Sequence, residues 1–234
     1  MVGKRLSRLG KSALVGFIGG VCLVAGVAGA AEPGSGEADK KVESPASDAS
    51  FFDGARGRIG FEYEYEKSAK DDVTNTAFAI MPGIQFRKDL FLSRAELYFE
   101  GNQDNLWSNN SNGNTTETKI GVRLRKDFDL GQGFGCYIRG LMGRAMSSDQ
   151  NFNYYYMEPA VKYDFNKTFG MLVGYRLIRT FSGPDGAEKN KLRIGPNINI
   201  DKNQALELRY VYATAAHGGD HISDAYIVEY AYKF

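Results

Sequence analysis

Residues 225–234 read Ala225-Tyr226-Ile227-Val228-Glu229-Tyr230-Ala231-Tyr232-Lys233-Phe234. Side chains on an extended strand alternate between two faces. Tyr226, Val228, Tyr230, Tyr232 and Phe234 therefore share one face, and Ala225, Ile227, Glu229, Ala231 and Lys233 share the other. The first face is large and aromatic; the second is mostly small or charged. A strand built this way separates two environments.

Working back from this stretch, the same alternation recurs over residues 205–214, 192–200, 169–180, 154–165, 134–145, 116–126, 91–100, 76–86 and 58–66. In 58–66, Ile59, Phe61, Tyr63 and Tyr65 alternate with Arg58, Gly60, Glu62, Glu64 and Glu66. In 192–200, Leu192, Ile194, Ile198 and Ile200 alternate with Arg193, Gly195, Asn197 and Asn199. Segment 134–145 is the weakest, and no helical repeat competes anywhere. Each segment has 9 to 12 residues, about the length that a tilted strand needs to cross a bilayer. Aromatics on the apolar face gather toward strand ends, as interfacial girdles do. Longer polar connections (67–75, 101–115, 146–153, 181–191 and 215–221) alternate with short turns at Lys88-Asp89, Asn166-Lys167 and Asp201-Lys202-Asn203, and 127–133 is intermediate. The pattern predicts an all-β chain, a transmembrane antiparallel up-and-down β-barrel of about ten strands over residues 51–234. A secreted lipocalin-like barrel, usually of eight strands with the apolar face turned inward, is the soluble alternative. Pro82, Pro159 and Pro196 each remove a ladder donor and predict bulges or strand ends. Arg144 falls on the apolar face near a strand end, where it can snorkel to headgroups.

The 234 residues carry a formal net charge of +1, and mean hydropathy is negative. That balance does not exclude a barrel, whose strands are only half apolar. Residues 1–31 have Lys4, Arg5, Arg8 and Lys11, then a short apolar run, then Ala28-Gly29-Ala30. This is the layout of a cleaved signal peptide rather than of a membrane anchor. Residues 32–50 are rich in Ser, Pro and charge, and they predict a disordered periplasmic tail. Removal of the signal takes Cys22 with it and leaves Cys136 alone, which excludes an intrachain disulfide.

The aromatic face of residues 225–234, with Phe234 as the final residue, resembles the C-terminal strand of bacterial outer-membrane barrels. In size and pattern the chain is similar to the small monomeric barrels of that class. Gly174-Tyr175-Arg176 and Leu208-Arg209-Tyr210 resemble fragments of the oligogalacturonate-specific porins, a family of twelve strands whose lumen carries arginine. The resemblance implies an outer-membrane location, with membrane lipid and lipopolysaccharide as surroundings. It also implies an assembly signal in Tyr230, Tyr232 and Phe234 for the barrel-assembly machinery, and a channel for small hydrophilic solutes.

The polar face places Arg123, Arg139, Arg176 and Arg209 on strands four, five, seven and nine. Glu62, Glu64, Glu96 and Glu229 fall on strands one, three and ten, which become neighbours on closure. The expectation is a basic wall facing an acidic wall. An open lumen of this kind is a narrow channel with mild anion preference, since guanidinium groups stay ionised. A bridged lumen is a closed structural or adhesive barrel acting through its loops. Ten strands lie near the filled end of the size range. His221-Ile222-Ser223 is similar to the His-x-Ser of outer-membrane lipid A deacylases, and Asp220-His221 to the acid and His of outer-membrane proteases. A Ser nucleophile needs a base within hydrogen-bond reach and a group orienting that base; Asp224 replaces the expected Asn, so a hydrolase is the remote alternative and a non-enzyme the expectation. No cofactor motif, metal-ligand spacing or nucleic-acid patch is present in the sequence.

Overall fold

The computed structural model describes residue 52 and residues 54–234, apart from 72, 88, 89, 105–115, 149, 182 and 184–186. The expected signal peptide, tail and Lys88-Asp89 turn, and residues 105–115 of the expected 101–115 connection, lie outside the described residues.

Ten strands form one closed antiparallel barrel: β1 (Arg56–Ser68), β2 (Thr74–Gln85), β3 (Arg94–Asp104), β4 (Thr116–Gly131), β5 (Phe134–Ser147), β6 (Asn151–Asp164), β7 (Phe169–Thr180), β8 (Lys189–Asn199), β9 (Gln204–Ala215) and β10 (His221–Lys233). Every strand pairs with its sequence neighbours, and β10 closes onto β1 from Arg58↔Lys233 to Ser68↔Ser223. Closure removes the two edges that an open sheet would expose.

The alternation fixes which face turns out. Phe78, Ile80, Leu97, Phe99, Val122, Met142, Met157 and Tyr226 are exposed on the outside. Arg123, Arg139, Glu158, Arg193 and Glu229 are buried inside. This polarity is the reverse of a soluble barrel, which excludes the lipocalin-like alternative. Aromatic pairs ring both ends: Phe134–Tyr163 at 4.5 Å and Tyr163–Phe165 at 5.1 Å at one end, Tyr155–Phe181 at 5.4 Å and Tyr210–Tyr226 at 5.8 Å toward the other. Arg144 is exposed on the outer face, as its register predicts.

The end where β1 begins and β10 finishes is termed the base, and the opposite end the mouth. Strands run further into the mouth connections than the alternation predicts, so those loops are shorter: 69–73 and 216–220, for example. At the base, β4 runs on to Gly131, so the expected 127–133 connection shrinks to a tight turn at Gln132-Gly133. Gly131, Gln132 and Gly133 have φ of 78°, 52° and 83°, and the register shifts between Asp129 and Gly131. Two of these three left-handed positions are glycine because a Cβ is strained there.

Pro82, Pro159 and Pro196 make neither bulges nor strand ends. Each interrupts one of its two ladders and the register then resumes unshifted: Ile80↔Phe99 to Gly83↔Glu96, Met157↔Leu177 to Ala160↔Gly174, and Ile194↔Tyr210 to Asn197↔Glu207. Glycine beside two of the prolines explains how. A Cβ on Gly195 would stand 1.9 Å from the Leu208 carbonyl oxygen, and one on Gly83 would stand 2.3 Å from that of Ala95. The strands approach closely there, so the missing proline donor costs no separation. The shift within β10 falls instead between His221 and Ser223.

Candidate functional site: the charged layer and two cups inside the barrel

At mid-depth nine of the ten strands send a charged side chain inward. Going round the barrel these are Glu62 on β1, Glu229 on β10, Arg209 on β9, Arg193 on β8, Arg176 on β7, Glu158 on β6, Arg139 on β5, Arg123 on β4 and Glu96 on β3, with Arg58 of β1 just below. Inward-facing Ala77, Ala79 and Met81 of β2 leave space for the long chains opposite. Arg139, Glu158 and Arg193 are 0% exposed.

The expected separation into two walls is corrected in two ways. Glu158 stands in the middle of the basic wall, with its Oε2 accepting from Arg176 Nε and Arg193 Nη1, each at 2.6 Å. Its Oε1 accepts from the Tyr137 hydroxyl at 2.8 Å. Arg58 stands on the acidic wall and pairs with Glu96. The walls also meet. Glu229 on β10 lies 3.2 Å from Arg123, 3.4 Å from Arg139 and 3.6 Å from Arg209. Glu96 accepts from Arg123 Nε at 2.7 Å. Glu62 is more distant, 3.9 Å from both Arg123 and Arg193. Arg123, Arg139, Arg176, Arg209, Glu62, Glu96 and Glu229 are thus brought into one layer. Glu64 lies apart, toward the mouth, where it accepts from Lys191 at 2.7 Å.

Glu158, Arg193 and Arg58 are absent from the expected set. The signal that finds them is the inner phase of the alternation itself, applied to every charge rather than to the most regular strands.

A cup lies on either side of the layer. The mouth cup, about 450 Å³, is lined by Glu64, Glu66, Glu100, Lys119, Lys191, Tyr98 and Tyr154 among others. Its floor is partly apolar, because Ala79, Met81, Tyr98, Leu141, Tyr154 and Tyr156 pack together inside the barrel. The base cup, about 220 Å³, is lined by Arg58, Arg94, Arg125, Lys162, Lys233, Asp127, Glu207 and Glu229 among others.

The residues suggested for hydrolysis do not assemble. Ser223 points inward and donates to Glu66 at 2.5 Å. His221 stacks on Tyr212 at 4.4 Å and lies 3.2 Å from Asp224, which accepts from the outward-facing Tyr210 hydroxyl. His217 lies 3.2 Å from Glu188. Backbone N–H donation from Thr180, then the His217 contact, holds the Glu188 carboxyl below its usual range.

An apolar exterior with aromatic girdles, around a charged interior, defines a transmembrane β-barrel of the outer-membrane kind. No family model matches the chain, and no curated protein matches it. Among solved structures it is similar to the KdgM porin in complex with disordered oligogalacturonate, at 11% identity over 75% of this chain and 99% of that one, TM-score 0.40. It is also similar to the beta domain of the Bordetella autotransporter BrkA, at 12% identity over 77% and 99%, TM-score 0.48. A third is the translocator domain of the autotransporter NalP from Neisseria meningitidis, at 10% identity over 96% and 98%, TM-score 0.44.

Proposed function

We propose that this outer-membrane barrel is a gated, narrow channel for small hydrophilic solutes with a mild anion preference, its base facing the periplasm. The observation that carries the reading is the arrangement of the two cups. One lies on either side of the layer of charged side chains, the mouth cup resting also on a partly apolar floor. The charged layer can open by exchanging ion pairs for water, which a wholly apolar septum cannot do, since exposing apolar groups to water is unfavourable. Six guanidinium groups meet four carboxylates in it, so a transient opening presents net positive charge to a passing solute.

A second reading rests on the same layer. Its members are shut off from water, which supports a sealed barrel acting through its mouth.

Planar-bilayer recording decides between the two. The channel reading expects stepwise conductance, brief in the wild type and longer-lived in Glu229→Gln, with anion selectivity that falls in Arg176→Glu and Arg209→Glu. Electrical silence of the wild type and of Glu229→Gln, both shown to be folded by heat-modifiable gel mobility, overturns it in favour of the sealed barrel. The surrounding proposals are membrane lipid and lipopolysaccharide against the exterior, and recognition of Tyr230, Tyr232 and Phe234 by the barrel-assembly machinery.

A further inference from the structure

The base cup holds three like-charge cross-strand pairs of the kind a sheet should avoid, one of them acidic, Glu207 on β9 with Glu229 on β10, and two of them cationic. Arg94 on β3 and Arg125 on β4 are direct cross-strand partners, and so are Arg58 on β1 and Lys233 on β10. Like charges placed directly opposite each other destabilise a sheet. All four line the same cavity. Lys162 joins them there, so five cations share the cup with three acids, Asp127, Glu207 and Glu229.

Those acids are already engaged. Glu229 is shared among Arg58, Arg123, Arg139 and Arg209. Glu207 pairs with Arg209. Asp127 accepts from Arg125 Nε at 2.8 Å and Arg125 Nη2 at 2.6 Å. What remains is donor capacity. Arg125 is 7% exposed, with its guanidinium 3.7 Å from the Tyr137 ring centroid, and its Nη1 is buried with no hydrogen-bond partner. The Nε of Arg94 is likewise buried without a partner, and its ion pair is with Glu96 at 4.0 Å, a carboxylate already held by Arg58 and Arg123. A buried guanidinium donor left unmade costs more than an ordinary unsatisfied group.

From this geometry we infer that the base cup is a binding site for a small oxyanion, a phosphate or carboxylate group, held chiefly between Arg94 and Arg125. Guanidinium forks match such oxygens in pairs. The volume suffices, since a cavity of roughly 150 Å³ already takes a benzene and this one is about 220 Å³. The inference rests on the cup alone and holds whether or not the charged layer opens. Its occupant is either a soluble anion or the phosphate of a lipid headgroup at the base rim.

The test is calorimetric titration of inorganic phosphate into the full-length barrel in uncharged detergent. Saturable one-to-one binding is expected, weakened at least tenfold in Arg125→Gln and in Arg94→Gln, weakened less in Arg125→Lys, which keeps the charge but not the fork, and unchanged in the mouth variant Lys119→Gln. The Lys variant and gel mobility keep loss of binding distinct from loss of fold. Repeating the titration in nanodiscs separates the sources. Displacement of phosphate by phosphatidylglycerol, but not by phosphatidylcholine, assigns the site to a headgroup; equal affinity in both assigns it to a soluble anion. Absence of saturable phosphate binding, or binding equal in wild type and Arg125→Gln, overturns the inference.

Discussion

Glu158→Gln removes the charge on which three guanidinium groups converge. Arg176 and Arg193 each lie 2.6 Å from its Oε2, and Arg139 lies 3.6 Å from its Oε1. At an effective dielectric of about 20, each 2.6 Å contact corresponds to roughly 6 kcal/mol of attraction. That figure exceeds the net effect, because the ions were dehydrated to form the contact and the layer can take up water once one partner is gone. Measured losses for breaking a buried pair from one side run at about 3–5 kcal/mol, and this range is expected here, since Gln preserves volume and one acceptor but not charge. Glu62→Gln is the control. Its cations stand at 3.9 Å and its Oε2 makes no hydrogen bond, so a smaller cost than that of Glu158→Gln is expected, the Coulomb attraction falling with distance. Reversible urea unfolding in lipid vesicles, followed by far-UV circular dichroism and gel mobility, measures both. A Glu158→Gln cost below about 1 kcal/mol, or no greater than that of Glu62→Gln, would refute the claim that Glu158 neutralises the basic wall.

Gly195→Ala is expected to destabilise by about 1–3 kcal/mol, the usual range for overpacking, because its Cβ would collide with the Leu208 carbonyl; the same unfolding assay checks it, with Gly131→Ala testing the strained turn instead. Asp201, in the turn between β8 and β9, accepts from the backbone N–H groups of Asn203 and Gln204 at 2.7 Å, and the Asn203 bond first of all holds its carboxyl below the usual range. A depressed carboxylate stabilises above its unfolded pKa of about 3.9 and loses that contribution as pH falls through its folded value; NMR titration should give a depressed midpoint, and Asp201→Asn should abolish the acid-side change in this turn. Phe234 donates its N–H to the Gly57 carbonyl at 3.0 Å and lays its ring over Gly57, where a Cβ would meet it at 2.3 Å. Phe234→Asp is expected to lower folded barrel in the outer-membrane fraction severalfold, measured by quantitative gel mobility, and unchanged levels would remove Phe234 from the proposed assembly signal.

Strand number, pairing order and the facing of nearly every side chain follow from the period-two pattern, because one face meets apolar surroundings and a one-residue slip would invert all of it. Arg123, Arg139, Arg176 and Arg209 could be placed inside on that basis alone. The prolines were less legible. A missing donor is a local fact, whereas whether a strand bulges depends on how closely its neighbour can approach, and Gly195 and Gly83 allow approach without a register shift. Loop lengths depart from the alternation for a related reason: polar residues at the mouth continue the ladders, since backbone pairing does not require apolar side chains.

The two-wall picture failed because facing does not determine reach. Alternation states that Glu229 and Arg139 both point inward, on β10 and β5, but it does not give the width of the space between them. In a ten-stranded barrel that width is spanned by one glutamate meeting one arginine, at 3.4 Å between charged atoms. Opposed charges that would line a wider lumen therefore become the septum of this one. The excess of guanidinium groups is then confined. Some of it is neutralised by Glu158, which the regular strands gave no reason to single out. The rest is displaced toward the base, where Arg94 and Arg125 stand opposed with donors unmet. A charge pattern of this kind leaves a single lumen divided into an ion-paired middle, in which guanidinium groups still outnumber carboxylates, and a basic end where buried guanidinium donors stand without partners.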